Sequence, residues 1–224
     1  NKGWLVVVYD PSTVRIMKSH AFKTANNSGK DNILDMTKNY NAIIGVNGGG
    51  FYDDGKVSKD IPFGYIIENG KIIYQSHNHK SDLIGMSNDN KLMLIHATGE
   101  EAIKQGMRDA LEFGPFLIVN GKPSFVKGDG GWGIAPRSAI AQRSDGIVLF
   151  VVINGRNYKS GILGIDMVGL TELLMNYGAV NAANLDGGTS SALLEGQKLI
   201  NNPISSTGNQ GVLRRIPTAW MVVE

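Results

Sequence analysis

Ala179-Val180-Asn181-Ala182-Ala183-Asn184-Leu185-Asp186-Gly187-Gly188-Thr189-Ser190-Ser191 is a short apolar strand that runs into a glycine pair and three hydroxyl residues. Just upstream, Asp166 to Tyr177 reads as a helix. Leu170, Leu173, Leu174 and Tyr177 form its apolar face, Asp166 can cap it and Gly178 can stop it. A buried strand that stops at glycine lets another chain or a ligand approach the backbone closely. A second end of this kind, Asn47-Gly48-Gly49-Gly50-Phe51, follows the apolar run Ala42-Ile43-Ile44-Gly45-Val46. The two ends read as opposite walls of one site.

Outward from these ends the chain is mostly strands and hairpins. Asn69-Gly70 separates Gly64–Glu68 from Lys71–Tyr74, and Asn120-Gly121 separates Phe116–Val119 from the segment after Lys122. Asn-Gly between apolar runs is the strongest short hairpin signal. Ser144-Asp145-Gly146 lies between Ser138–Gln142 and Ile147–Ile153, and Glu195-Gly196 between Ser191–Leu194 and Lys198–Ile200. Asp10-Pro11-Ser12 reads as a turn between Trp4–Tyr9 and Thr13–Met17, and Pro217–Val223 as a closing strand. Two further helices are predicted. One is Asp31–Tyr40; the other, Thr98–Ala110, opens with the capping-box pattern Thr98-x-x-Glu101. Strands and helices do not alternate regularly, and no linker divides the chain. The expectation is one α+β domain over residues 1–224, with mixed β-sheets and a few flanking helices.

Composition removes several classes of function. The formal charge is only +2, with no basic stripe, so nucleic acid is not the expected partner. There is no cysteine, hence neither a disulfide framework nor thiolate chemistry. No apolar stretch is long enough to span a membrane. The 29 glycines stand singly or in small groups between short apolar runs, which indicates tight turns and not a flexible tract. The chain opens at Asn1 without methionine, which reads as a trimmed or mature form with a signal or anchor removed upstream.

Each motif has a plain alternative. Gly48, Gly49 and Gly50 exceed what one turn requires, and consecutive free N–H groups make an anion-accepting nest; the alternative is a turn with glycine at positive φ. No G-x-G-x-x-G opens a helix and no G-K-[ST] is present, which excludes the common nucleotide loops. On a strand Asn184 and Asp186 project to one face. A carboxylate beside an amide suits a general base or a nucleophile. It would also suit Ca²⁺, which takes oxygen ligands, or be nothing more than a hairpin turn. Arg137, in Ala135-Pro136-Arg137-Ser138-Ala139, and Arg156, after Asn154-Gly155, fall at one end of a predicted hairpin. Such a pair can clamp a phosphate; the alternative is surface ion pairing. Of Arg214-Arg215, one can reach the same anion; Arg214 is read as solvated, leaving Arg215. The histidines have no metal-ligand spacing, and there is no G-x-S-x-G elbow.

Taken in order, Asn47-Gly-Gly-Gly-Phe51, the Asn69-Gly70-Lys71 hairpin, Gly114-Pro115 with Asn120-Gly121-Lys122, Ala135–Ala139, Asn154-Gly155-Arg156, Asn184–Gly188 and Arg215-x-Pro217 resemble the phosphodiester glycosidase family. That family includes the catalytic domain of N-acetylglucosamine-1-phosphodiester α-N-acetylglucosaminidase, and the chain looks closer to its bacterial and phage members. Two departures are Asn154, where many members have aspartate, and Gly50, where an aromatic residue is common. The resemblance implies hydrolysis of a sugar-1-phosphodiester between the anomeric carbon and oxygen. It implies Arg137, with Arg156 or Arg215, on the phosphate, and Asp186 on the anomeric side. Asn47 and Asn184 would bond sugar hydroxyls or orient water. Gly48–Gly50, Gly187, Gly188 and Thr189 would close around the ligand, and Glu68 and Glu112 are candidates for an assisting acid. No cofactor is required on this reading, with Ca²⁺ the one metal left open. The partner would be a phosphate-linked glycan, and the location extracellular or at a bacterial cell surface. Two other readings stand beside it: a metal-dependent phosphodiesterase acting on teichoic-acid-like polymers, and a non-catalytic glycan-binding module.

Overall fold

The structure is a computed structural model that describes residues 2–22, 29–53 and 58–224. Three antiparallel sheets carry the architecture. The first has six strands in the order Gly3–Val8, Val148–Ile153, Arg137–Arg143, Ala179–Asn184, Phe116–Val119 and Lys122–Pro123. The second orders Leu92–Ala97, Ser81–Ser87, Met107–Glu112, Tyr65–Glu68 and Lys71–Gln75. The third orders Lys198–Leu199, Leu193–Glu195, Ile44–Asn47, Thr218–Val222 and Val14–Lys18. The sheets are therefore mixed in the parts of the chain they draw on, not in strand direction.

Side-chain alternation builds the layers, because successive residues of a strand face opposite sides. On the central strands Ile140, Phe150, Val152 and Ala183 point to one side. There they meet Ile84 and Leu111 of the second sheet and Val46 and Trp220 of the third. Ala139, Ala141, Leu149, Val151 and Ala182 point the other way, onto Met167, Leu170 and Leu174 of a helix, Met167–Asn176. The shorter helices Ile33–Asn39 and Gly99–Lys104 cover the outer faces of the third and second sheets. The result is helix, sheet, a pair of sheets, then helices, an α+β domain.

Local chemistry accounts for most of the elements. Asn69-Gly70 and Asn120-Gly121 both have positive φ at both residues, as the predicted two-residue hairpins require. Asp166 Oδ1 accepts from Gly169 N at 2.8 Å and caps its helix, which Gly178 ends at φ +81°. Thr98 and Glu101 form the predicted capping box. The helix they start is shorter than expected, however. Gly106 at φ +91° ends it, and Met107–Glu112 leaves as a central strand of the second sheet. The strands on either side of Asp10-Pro11-Ser12 do not pair with each other. Gly3–Val8 pairs with Val148–Ile153 and Val14–Lys18 with Thr218–Val222, so the turn carries the chain from one sheet to another.

A candidate active site around the Asp186 turn

The strands Ala179–Asn184 and Ile44–Asn47 belong to different sheets, and their glycine-rich ends touch. Asp186 N donates to the Gly48 carbonyl at 3.1 Å, and Asn47 Nδ2 donates to the Asp186 carbonyl at 2.6 Å. The two ends are thus one seam, not opposite walls. Asn47 has no exposed surface. Its Oδ1 also accepts from Ser138 Oγ at 2.7 Å and from Ala192 N at 3.1 Å. It fastens three segments together and presents nothing to a ligand, which corrects its expected contact with substrate.

The glycine triplet is corrected in the same way. Gly48, Gly49 and Gly50 are buried, and none has positive φ. The N–H of Gly48 goes to the Thr218 carbonyl, and that of Gly49 to Thr218 Oγ1. No nest remains for an anion. These positions are glycine because partners press on them. A Cβ at Gly48 would lie 2.5 Å from Thr218 Oγ1, and one at Gly50 would lie 2.4 Å from the Phe113 ring and 2.7 Å from Phe63. Gly50 therefore has no room for a side chain of its own, and two aromatic rings from elsewhere occupy the space above it. Asn184 is likewise buried, and its Nδ2 donates to the Gly114 carbonyl at 3.0 Å. It holds the Gly114-Pro115 segment and offers no surface to a substrate.

The second turn is different. After Asp186, residues Gly188–Ser190 form a short 3-10 turn with Gly188 at φ +61°. Three guanidiniums surround it. A side chain at Gly187 would sit 3.6 Å from Arg137 Nη1, and one at Gly188 would sit 2.8 Å from Arg156 Nη2. Arg156 Nη1 donates to Thr189 Oγ1 at 3.2 Å, and Arg214 Nη1 reaches Ser190 Oγ at 3.5 Å. Arg156 itself has φ +59°, a left-handed conformation that a long side chain seldom adopts and that is often found at functional positions. Arg156, Gly187, Gly188, Thr189, Ser205 and Arg214 line a hollow of about 380 Å³, with no acid among its lining residues.

Arg214 thus occupies the place foreseen for Arg215. Arg215 is exposed in a two-residue strand whose next residue, Ile216, is buried. Strand alternation puts residue 214 on the inward side with 216, a signal the sequence did contain. Arg137 is only 5% exposed and gives Nη2 to the carbonyls of Trp132 and Gly133, each at 2.8 Å. It braces the loop before it as well as flanking Gly187. Burial, and then the neighbouring Arg156, depress the Arg137 guanidinium below its usual value.

Asp186 is partly exposed but walled by protein. That burial pushes its carboxyl up to about 6, against hydrogen bonds from Ser190 and Gly187 that lower it. A carboxyl with such a value exchanges protons readily near neutral pH. A hollow lined by Arg156 and Arg214 with no acid is a poor cradle for Ca²⁺, which wants several oxygen anions. Among the described residues no group of three or more His, Cys, Asp or Glu gathers to hold a metal. Of the other acids, Glu112 bonds Ser81 and His77 beside a separate cleft. Burial raises Glu68 above its ordinary value. No helix among the described residues is long and apolar enough to cross a membrane.

Comparison with known proteins gives this geometry a family. The catalytic domain of zebrafish N-acetylglucosamine-1-phosphodiester α-N-acetylglucosaminidase, auto-inhibited by its pro-peptide, has the same fold. Its TM-score is 0.80 at 16% identity, covering 100% of this chain and 82% of that one. A protein from Burkholderia pseudomallei follows at TM-score 0.68 and 14% identity, covering 98% of this chain and 73% of that one. An SPbeta prophage-derived uncharacterized protein of Bacillus subtilis is 29% identical over 199 residues. The match takes in 82% of this chain, which spans 28% of that relative's length. Residues 40–223 match the family described as phosphodiester glycosidase, from the end of the helix Ile33–Asn39 through the last strand, and the chain belongs to that family.

Proposed function

We propose that this chain hydrolyses a sugar-1-phosphodiester by cleaving the bond between the anomeric carbon and the ester oxygen. The observation that carries the reading is the turn at Asp186–Ser190, where a proton-exchanging carboxyl begins a segment ringed by three guanidiniums. Such a site holds one delocalised negative charge and places an acid–base group beside it.

In the proposed reaction the phosphate lies in the hollow at Arg156 and Arg214, with Arg137 behind Gly187. Charge grows on the ester oxygen as the bond to the anomeric carbon lengthens, and the guanidiniums stabilise it. Asp186 acts on the anomeric side. It either takes a proton from the attacking water or attacks first and is then released by water. The sugar gains the hydroxyl from water, and the phosphomonoester leaves as an anion that needs little protonation. A wall-type polymer or another phosphate-linked surface glycan, met outside the cell, is the substrate class this chemistry suits.

Hydrolysis of a nitrophenyl sugar phosphodiester in ¹⁸O water tests the reading. The label is expected in the released sugar and not in the phosphomonoester. Label in the phosphomonoester would establish phosphorus–oxygen cleavage instead, and binding of several such esters without turnover would leave a glycan-binding module. The arginine assignment gives a second expected result. Arg214→Ala should lower kcat/KM for the phosphodiester by about 10- to 100-fold, the worth of one charge-assisted hydrogen bond. Arg215→Ala should change it by less than about twofold, as for an exposed charge. Equal effects of the two variants would remove Arg214 from the phosphate.

A further inference from the structure

A second concavity of about 440 Å³ is lined by Phe63, Phe113, Gly114 and Trp132, the last of which contacts Arg137. Its walls are aromatic. Phe63 and Phe113 lie within 5° of parallel with centroids 6.5 Å apart, packed over Gly50, and Trp132 is 44% exposed beside them. Trp132 is tied to the candidate active site, since its carbonyl accepts from Arg137 Nη2 at 2.8 Å and its ring lies 5.9 Å from that guanidinium. The floor is tied to it as well. The Gly114 carbonyl accepts from Asn184, two residues before Asp186. Polar groups stand at the rim. Asp82 Oδ1 and His96 Nδ1 are 2.8 Å apart, both well exposed, which leaves the second carboxylate oxygen and the second ring nitrogen for a ligand.

We infer that the cleft walled by Phe63, Phe113 and Trp132 binds the apolar face of a neutral pyranose, as the sugar subsite of the phosphodiester whose charge lies at Arg156 and Arg214. The inference rests on the proposed function and adds where the sugar goes. The axial C–H bonds of a pyranose are weakly positive and pack on the negative face of an aromatic ring. Its hydroxyls then have the free atoms of Asp82 and His96 as partners. The volume falls in the range of small-molecule sites. A cationic ligand fits less well, because each acid of the cleft already has an imidazole partner: Asp82 has His96, and Glu112 has His77. The molecule divides its labour accordingly, with cations and hydroxyls for phosphate around Arg156 and Arg214 and rings with a polar rim for sugar around Trp132.

The test is binding to the intact protein of N-acetylglucosamine, glucose, galactose, glycerol and inorganic phosphate, by calorimetry and saturation-transfer NMR. None of these ligands is turned over. At least one pyranose is expected to bind, with saturation transferred to its ring C–H protons, while glycerol, an open-chain polyol, does not. Trp132→Ala should weaken that pyranose about tenfold, in line with loss of an aromatic face. It should leave inorganic phosphate within about twofold. Phe113→Ala should act in the same direction, and the exposed Trp132 makes its own variant safe for folding. Binding of phosphate with no pyranose bound, or equal weakening of sugar and phosphate by Trp132→Ala, would overturn the subsite. Either result alongside label in the released sugar would leave the hydrolytic reading standing. Sugar binding without turnover would do the reverse.

Discussion

Asp186→Asn is expected to abolish turnover and, at neutral pH, to make the protein more stable. Loss of the group proposed to move a proton or attack at the anomeric carbon should cost about 10²–10⁴-fold or more in kcat. The stability change follows from burial. The Asp186 carboxyl holds its proton up to about 6 in the folded chain, against an ordinary 3.8. The folded state thus binds that proton more tightly than the unfolded state does. Stability falls as pH rises from about 3.8 to about 6, and above that the whole penalty is in place. A shift of that size corresponds to at most about 3 kcal/mol. Partial exposure of Asp186 reduces the expected gain in the variant to about 1–2 kcal/mol, or roughly 2–8 °C in Tm. Thermal unfolding of both proteins at pH 7.5 and pH 4 checks this. The gain should be present at the higher pH and absent at the lower. A variant that melts earlier at pH 7.5 would mean the carboxylate is stabilised where it sits, and retained turnover would take Asp186 out of the chemistry.

Much of the fold is written locally in the chain. Asn-Gly pairs, the Thr98–Glu101 box and the Asp166 cap each act within four residues, and each is found where its residues stand. What resisted reading depends on contacts far apart in sequence. The glycine triplet looks like an anion nest until Thr218 takes two of its N–H groups and Phe63 and Phe113 settle over Gly50. Nothing within ten residues announces those partners. The helix after Thr98 stops early because Met107–Glu112 is drawn into the centre of a sheet, a tertiary demand that overrides propensity. At the candidate site, the gathering of Arg137 and Arg156 at the Asp186 turn was legible because Arg137 begins a strand after proline, and Arg156 and Asp186 each follow a strand end beside glycine. Arg214 was passed over for its neighbour, although Ile216 fixes which of the two faces inward. The aromatic cleft left no local mark at all, since Phe63, Phe113 and Trp132 come from three separate loops.

Asn47→Ala is the counterpart of the first prediction, with the same expected loss of activity and the opposite effect on stability. The substitution removes an amide with no exposed surface and leaves behind three polar groups: the Ser138 hydroxyl, the Ala192 N–H and the Asp186 carbonyl. Each unsatisfied buried group costs about 1–3 kcal/mol. The Ser138 hydroxyl can turn toward another acceptor, so a total of about 3–6 kcal/mol is expected, or roughly 6–24 °C in Tm. That is a large part of the stability of an ordinary domain. Turnover should fall too, because the seam that sets the height of Asp186 against the arginine hollow is cut. The pH dependence of kcat/KM distinguishes this positioning role from contact with substrate. With the seam open, water reaches the Asp186 carboxyl, and the limb near pH 6 should move down toward the ordinary carboxylate range. A lower Tm with unchanged turnover would make Asn47 purely structural. Lost turnover with the limb unmoved would return it to direct contact with substrate, against its complete burial.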